Sequence, residues 1–252
     1  AVWRIYNRFI DAILGGLKNI GIEAPVNILK ADGGTMPVEV SRKLPVESIL
    51  SGPAASIMGI IALSNICEDS IILDIGGTTT DIAIFASGFP LIEKDGISLD
   101  GIPTLVRSLQ NRSIGIGGDS VIRIINGDVT VGPERLGPGM ADGGSAPALI
   151  DAFNFKGITD FMDCSKSAEG IKALSTGTKF KPEEVADKAV KYAIKKIKTE
   201  VDSILNELNQ KPVYTIHEMV HGKQIKPEKM FIIGGPARAL AQVVSEEIKP
   251  LV

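Results

Sequence analysis

The chain has 252 residues, 44% hydrophobic and 23% charged, enough to bury one large core or two modest ones, which excludes a disordered or fibrous protein. Lys and Arg total 27 against 30 Asp and Glu, a formal net charge of −3, so no basic footprint for nucleic acid or an anionic membrane is present. Two cysteines, Cys67 and Cys164, lack metal-ligand spacing and no apolar run is of bilayer length, which sets the expectation of a cytoplasmic protein with small-molecule or protein partners.

Taken in chain order, Val2, Ile5, Tyr6, Phe9, Ile10, Ile13, Leu14 and Leu17 recur at helical spacing and predict a helix over residues 2–20 ending near Gly21. A chain that starts inside a helix, at Ala1 and not Met, is expected to be a piece of a longer polypeptide. Residues 26–29 read as a strand, Asp32-Gly33-Gly34 as a turn and residues 38–40 as the returning strand. Ser51 can cap a second helix with Pro53 in its first turn, and the apolar run 54–63 predicts burial all round. Residues 71–73 and 81–85 read as strands joined by a Gly-Gly-Thr-Thr-Thr turn, with a third strand at 89–94. Glycine and proline are dense from 115 to 144, where strand signals stand at 121–125 and 129–131. Pro182 opens a long amphipathic helix whose Lys-rich stretch 191–198 reads as a solvated face. A short helix at 215–220, a strand at 230–233, a Gly-Gly-Pro turn and a last helix at 237–248 complete the pass.

Chemistry concentrates at the first glycine turn. Asp74 ends one strand and Asp81 begins the next, with Ile75, Gly76, Gly77, Thr78, Thr79 and Thr80 between them. Glycines allow amides to approach phosphate oxygens without a Cβ, threonine hydroxyls add donors, and a strand-end Asp can hold the accompanying cation. A plain tight hairpin is the competing reading, but a run of three threonines is more than a two-residue hairpin needs.

The segment Asp74-Ile75-Gly76-Gly77-Thr78-Thr79-Thr80-Asp81 resembles the phosphate-binding hairpin of the actin, sugar-kinase and heat-shock-chaperone ATPases. Ser51-Gly52-Pro53-Ala54-Ala55 and its helix resemble the connection between the two lobes of that superfamily, and Gly234-Gly235-Pro236-Ala237 after a strand resembles its adenosine-contacting segment. Asp32-Gly33-Gly34, the cluster Ile114-Gly115-Ile116-Gly117-Gly118-Asp119-Ser120 and Val131-Gly132-Pro133-Glu134 are similar to the hydantoinase A and 5-oxoprolinase branch.

The resemblance implies an α/β, ribonuclease H-like actin-type ATPase fold, a mixed sheet flanked by helices. Residues 1–67 would be the remainder of a first lobe with its connecting helix, and 68–252 the second nucleotide-binding lobe. It implies ATP and Mg2+ as cofactors and a small cyclic amide, a hydantoin or 5-oxoproline, as the substrate to be hydrolysed. Asp74, Asp81 and Asp119 are the candidate catalytic residues, with Asp74 the metal ligand. Gly76, Gly77, Thr78, Thr79, Thr80, Gly117, Gly118, Gly234, Gly235 and Pro236 are the candidate nucleotide contacts.

Two departures from the family pattern carry expectations of their own. No Asp-x-Gly-Gly-Thr precedes Asp74, which implies a first lobe elsewhere in the polypeptide and little turnover by these residues alone, while a companion subunit is left open. Leu136-Gly137-Pro138-Gly139-Met140-Ala141 lacks the family's Cys, which leaves the substrate open. A reactivase or chaperone-like switch on the same fold is the alternative function. A further competitor is His217-Glu218-Met219-Val220-His221, which fits the short zinc-peptidase pattern with Glu246 or Glu247 as third ligand, although Gly222 and Lys223 curtail its helix.

Overall fold

The computed structural model describes residues 2–93, 96–99, 102–210 and 224–248. The chain divides into two compact units, residues 1–66 with 89–111 and residues 67–88 with 112–252.

The first unit opens with α1 (Val2–Asn19), followed by Gly21 at φ +75°, a left-handed position that suits glycine at a helix end. Strands β1 (Asn27–Leu29) and β2 (Thr35–Pro37) pair antiparallel, with Asn27 opposite Pro37. Asp32 shapes their turn by accepting the Gly34 amide at 3.0 Å. Burial pushes the Asp32 carboxyl up, but the Gly34 amide and Lys30 outweigh it and hold it below its ordinary value.

The returning strand ends earlier than expected. The Val38 amide still donates to the Val26 carbonyl at 3.0 Å, but residues Val38–Ser41 then turn into the short helix α2. A 3-10 turn at Pro45–Ser48 leads to α3 (Ser51–Leu63). Ser51 lies inside that helix and makes no cap; Leu50 at φ 58° precedes it. The buried residues of α3 are Ala54, Ile57 and Ile60, whereas Leu63 is 87% exposed, so only one stripe of an all-apolar helix is covered. The strand expected at 89–94 shrinks to β5 (Phe89–Pro90), and β6 (Ser98–Leu99) pairs with β7 (Ile102–Pro103). Ala31, Ile97 and Val106 form a small core with Ile49 against it.

The second unit carries the main sheet. Strand β3 (Ser70–Ile75) lies between β4 (Thr80–Ala86), antiparallel to it, and the late strand β11 (Lys229–Ile233), parallel to it, while β8 (Arg112–Ile114) pairs with β4. The sheet is therefore mixed. Ile71, Ile72, Leu73 and Ile75 on β3, and Ile82, Ala83, Ile84 and Phe85 on β4, are all buried, the pattern of strands covered on both faces. Each of these side chains except Ala83 contributes about 1.5–3 kcal/mol on leaving water. Strands β9 (Ile122–Ile125) and β10 (Asp128–Val131) form a hairpin whose central Asn126 and Gly127 both have positive φ, as a type I′ turn requires.

Helices flank this sheet: α4 (Leu149–Phe155), α5 (Cys164–Ser175), α6 (Pro182–Gln210) and α7 (Ala237–Glu247). Val185, Ala189, Ile197, Val201 and Ile204 line the buried face of α6, as their spacing predicts, and Lys191, Lys195, Lys196 and Lys198 are exposed. Helices α4 and α5 were not expected. Helix α5 is capped by Asp163, which accepts the Ser165 and Lys166 amides at 3.0 and 3.2 Å. Among the described residues no helix is long and apolar enough to cross a membrane.

Candidate functional site

The ladder places two carboxylates side by side. Asp74 is directly opposite Asp81, and opposite residues of an antiparallel pair project from the same face. In β3 every residue except Asp74 is buried, so the hydrophobic run breaks only where the acid stands. Ser113 on β8 is opposite Asp81 in the next ladder and hydrogen-bonds its carboxylate. Burial pushes the Asp81 carboxyl up, the Ser113 hydroxyl pulls it down and the Asp74 charge pushes it up again; the balance lies above the ordinary carboxylate value.

Between the acids, Gly76 to Thr79 make a turn closed by the Gly76 amide donating to the Thr79 carbonyl at 2.9 Å. Gly77 and Thr78 are exposed, so the bend lies at the surface and is not packed into the interior. The carbonyls of Gly76 and Gly77 accept the amides of Gly118 and Asp119 at 3.0 and 2.7 Å. A trans peptide aims its C=O and its N–H in opposite directions, so the Gly77 and Thr78 amides aim away from the Gly118 loop. Among the described residues neither amide donates to a backbone carbonyl. The turn thus presents two N–H groups outward, the arrangement that binds phosphate oxygens.

Two distant segments converge on this turn. A Cβ on Gly117 would lie 2.5 Å from the Gly77 carbonyl oxygen and 2.7 Å from that of Gly76, so only glycine permits this approach. The Gly117 amide donates to Ser120 Oγ at 2.8 Å, which holds the loop in shape. From the other side, Ile233 ends β11 opposite Asp74, and Gly234 follows at φ +102°. A Cβ on Gly234 would meet the Ile75 carbonyl oxygen at 2.1 Å and Asp74 Oδ1 at 2.9 Å. Gly235 is exposed, and buried Pro236 starts α7 beside Gly118. The parallel strands β3 and β11 therefore end together, at the edge where open α/β sheets take their ligands.

The structure brings together Asp74, Gly76, Gly77, Thr78, Thr79, Asp81, Gly117, Gly118, Asp119, Gly234, Gly235 and Pro236. Thr80 departs from its expected role as a nucleotide contact. It is fully buried and its hydroxyl donates to the Ile116 carbonyl at 2.7 Å, so it ties the hairpin to the glycine cluster. Asp119 also has a structural partner, Arg135, which donates Nε and Nη2 to its Oδ2 at 3.1 and 2.8 Å.

Ser113, Ser120, Arg135 and Asp151 were missed by sequence reasoning. Asp151 is fully buried and accepts the amides of Met140, Ala141 and Ala148 and the Ser167 hydroxyl, fixing the loop ahead of α4. Its sign in the sequence is slight, one acid two residues inside an apolar helix. Ser113 had no signal without the register of β8.

Asp74 and Asp81 fit a hard divalent cation: two carboxylates share one face, and burial together with its neighbour disfavours the charged form of Asp81. Mg2+ takes one or two carboxylates and completes its shell with water and phosphate oxygens. Among the described residues no group of three or more His, Cys, Asp or Glu forms a metal cage. His217, Glu218 and His221 lie outside the described residues. A separate groove of about 380 Å³, lined by Lys156, Asp187, Lys191, Lys195, Lys198 and Glu247 among others, includes no residue of the hairpin.

The sequence model of the hydantoinase/oxoprolinase family matches residues 1–249. Among solved structures, an acetone carboxylase in a nucleotide-free structure, from work on ATP-dependent acetone carboxylation, superposes with a TM-score of 0.68 at 20% identity. That match covers 77% of this chain and 30% of that one. An ATP-dependent caprolactamase from Pseudomonas jessenii gives a TM-score of 0.68 at 20% identity, covering 98% of this chain and 36% of that one. The chain thus spans about a third of the length of these structures. No curated protein matches it. These likenesses show the actin-like fold that the motifs imply.

Proposed function

The chain belongs to the hydantoinase/oxoprolinase family, and from that premise we propose that it is the nucleotide-binding portion of an ATP-dependent enzyme that opens a small cyclic amide, a hydantoin or 5-oxoproline. The observation that carries this reading is the Gly76–Thr79 turn, exposed, with amides aimed outward and two carboxylates facing each other at its base. The neighbour named an ATP-dependent caprolactamase supports a cyclic amide as the substrate class. Residues 68–252 form the second nucleotide lobe in this reading.

Each residue then has a stated task. The Gly77 and Thr78 amides and the Thr78 and Thr79 hydroxyls bind phosphate oxygens. Asp74 would hold the Mg2+ that accompanies them, and Asp81, at the same depth on the neighbouring strand, orients a water or shares the cation. Gly234 and Gly235 let the adenosine lie against the backbone, and the N-terminus of α7 faces the phosphates with its positive dipole end. Bound Mg-ATP supplies a transferable phosphoryl group that activates the ring carbonyl toward water. The chain's residues contribute fixed dipoles that need no reorganisation as charge develops.

Phosphate release by the full polypeptide, measured with and without hydantoin or 5-oxoproline, tests the proposal. Stimulation by a cyclic amide supports it. Stimulation only by a protein partner would favour the switch, and absence of ATP binding would end the nucleotide reading altogether.

A further inference from the structure

The Asp119 carboxylate fills the space beside Gly77. A Cβ on Gly77 would lie 2.6 Å from Asp119 Oδ2, while the Asp119 amide donates to the Gly77 carbonyl at 2.7 Å. One residue thus grips the turn with its main chain and rests its charge against it. For a loop that accepts phosphate this is a liability, because like charges repel at close range and a partly enclosed setting screens them poorly. Arg135 lies on the outer side of that carboxylate: its side chain is 46% exposed against 20% for Asp119. Nε and Nη2 converge on the same oxygen at 3.1 and 2.8 Å, a fork whose geometry sets orientation as well as charge.

Resting on the nucleotide reading above, we infer that Arg135 is a positioning residue for the phosphate turn: it holds Asp119 against Gly77 and cancels the negative charge that an incoming triphosphate would meet. The role is distinct from direct phosphate contact, which would require the guanidinium to leave Asp119. The two make opposite forecasts. If Arg135 acts through Asp119, the harm of removing it comes from the bare carboxylate, and neutralising Asp119 in the same chain undoes that harm. If Arg135 binds phosphate itself, neutralising Asp119 restores nothing.

Equilibrium titration of the full polypeptide with Mg-ATP, at low and high salt, separates them across wild type, R135K, R135A, D119N and D119N/R135A. R135A should weaken binding on the order of tenfold, an effect that shrinks as salt rises. R135K should lose less, and the double variant should bind within about threefold of wild type, the coupling a double-mutant cycle reads directly. Binding by R135A at the wild-type level, or a double variant as weak as R135A, overturns the inference. Thermal melts establish that each variant folds. Should R135A fail to fold, the double variant against D119N decides: equal affinity supports the positioning role, and a further loss overturns it. A wild-type chain that binds no Mg-ATP sinks the nucleotide reading itself and this inference with it, an outcome recognisable before any variant is made.

Discussion

Replacing Gly117 by Ala probes the contact on which the site's geometry depends. The new Cβ would sit 2.5 Å from the Gly77 carbonyl oxygen, 2.6 Å from its carbon and 2.7 Å from the Gly76 oxygen. Non-bonded carbon and oxygen settle near 3.5 Å, so the two loops must separate by roughly 1 Å. The atoms in the way are backbone, which cannot rotate aside. That separation stretches the Gly118-to-Gly76 and Asp119-to-Gly77 hydrogen bonds, now 3.0 and 2.7 Å, beyond useful length. Overpacking costs about 1–3 kcal/mol and each of the two lost bonds about 1 kcal/mol, so the variant should lose roughly 3–5 kcal/mol of stability. Nucleotide binding should fall with it, because the released carbonyls no longer set the direction of the Gly77 and Thr78 amides. Thermal unfolding and Mg-ATP titration of the full polypeptide measure both, with Gly235→Ala as the control for stability alone, since a Cβ there meets nothing within 4 Å. If G117A melts and binds as wild type, the loops are not in the contact described and the outward aim of the amides loses its cause.

Asp81→Asn should separate stability from activity. The raised Asp81 value means that the folded chain holds this proton more tightly than the unfolded chain, so ionisation costs stability; the cost is absent below the ordinary 3.8 and complete once pH passes the raised folded value. D81N should therefore melt higher than wild type at neutral pH and lose that advantage in acid, while ATP turnover falls on the order of a hundredfold or more; a lower melting point at pH 7 would contradict the assignment. Thr80→Val should cost about 1–3 kcal/mol by leaving the buried Ile116 carbonyl without its donor, and should not abolish nucleotide binding once the protein is folded. Asp151→Asn should cost roughly 2–4 kcal/mol, because an NH2 group then faces three amides and a hydroxyl that now donate four hydrogen bonds to one carboxylate; urea denaturation would show this, and an unchanged midpoint would remove Asp151 from its place under the 140–148 loop.

Much of this arrangement is legible in residues 74–81, because two β-branched runs, two acids and a glycine turn admit few structures other than a hairpin with its acids opposed. The convergence of Gly117 and Gly234 on that hairpin is of another kind. Their places follow from a parallel β11 laid beside β3 and from a loop returning to the turn some 40 residues later, and no local propensity encodes either pairing. Only the resemblance of the motifs suggested that they meet. Thr80 was misjudged for a related reason: the hydroxyl that adds a donor to a phosphate loop is chemically the same as one that closes a buried bond, and strand alternation puts Thr80 inward, beside outward-accessible Asp81. The unread helices α4 and α5 are short, and their ends depend on Asp151 and Asp163 meeting backbone amides. Val38 keeps one ladder bond, its amide to the Val26 carbonyl at 3.0 Å, and residues Val38–Ser41 then turn helical where a returning strand was expected.

The glycines of the site divide by what forbids a side chain. Gly117 and Gly234 are closed to a Cβ by the protein's own backbone, at 2.5 and 2.1 Å, so the fold alone accounts for them. Gly235 has open space, ordinary φ and an exposed position, so nothing in the chain itself demands its lack of a side chain. A residue of that kind is where a ligand leaves its mark most cleanly: Ala at 235 leaves the free protein undisturbed, and any loss of nucleotide affinity it causes measures how closely the adenosine approaches the backbone. Full affinity with Ala at 235 would mean that the base lies elsewhere, even if the phosphates sit on the Gly76–Thr79 turn as proposed.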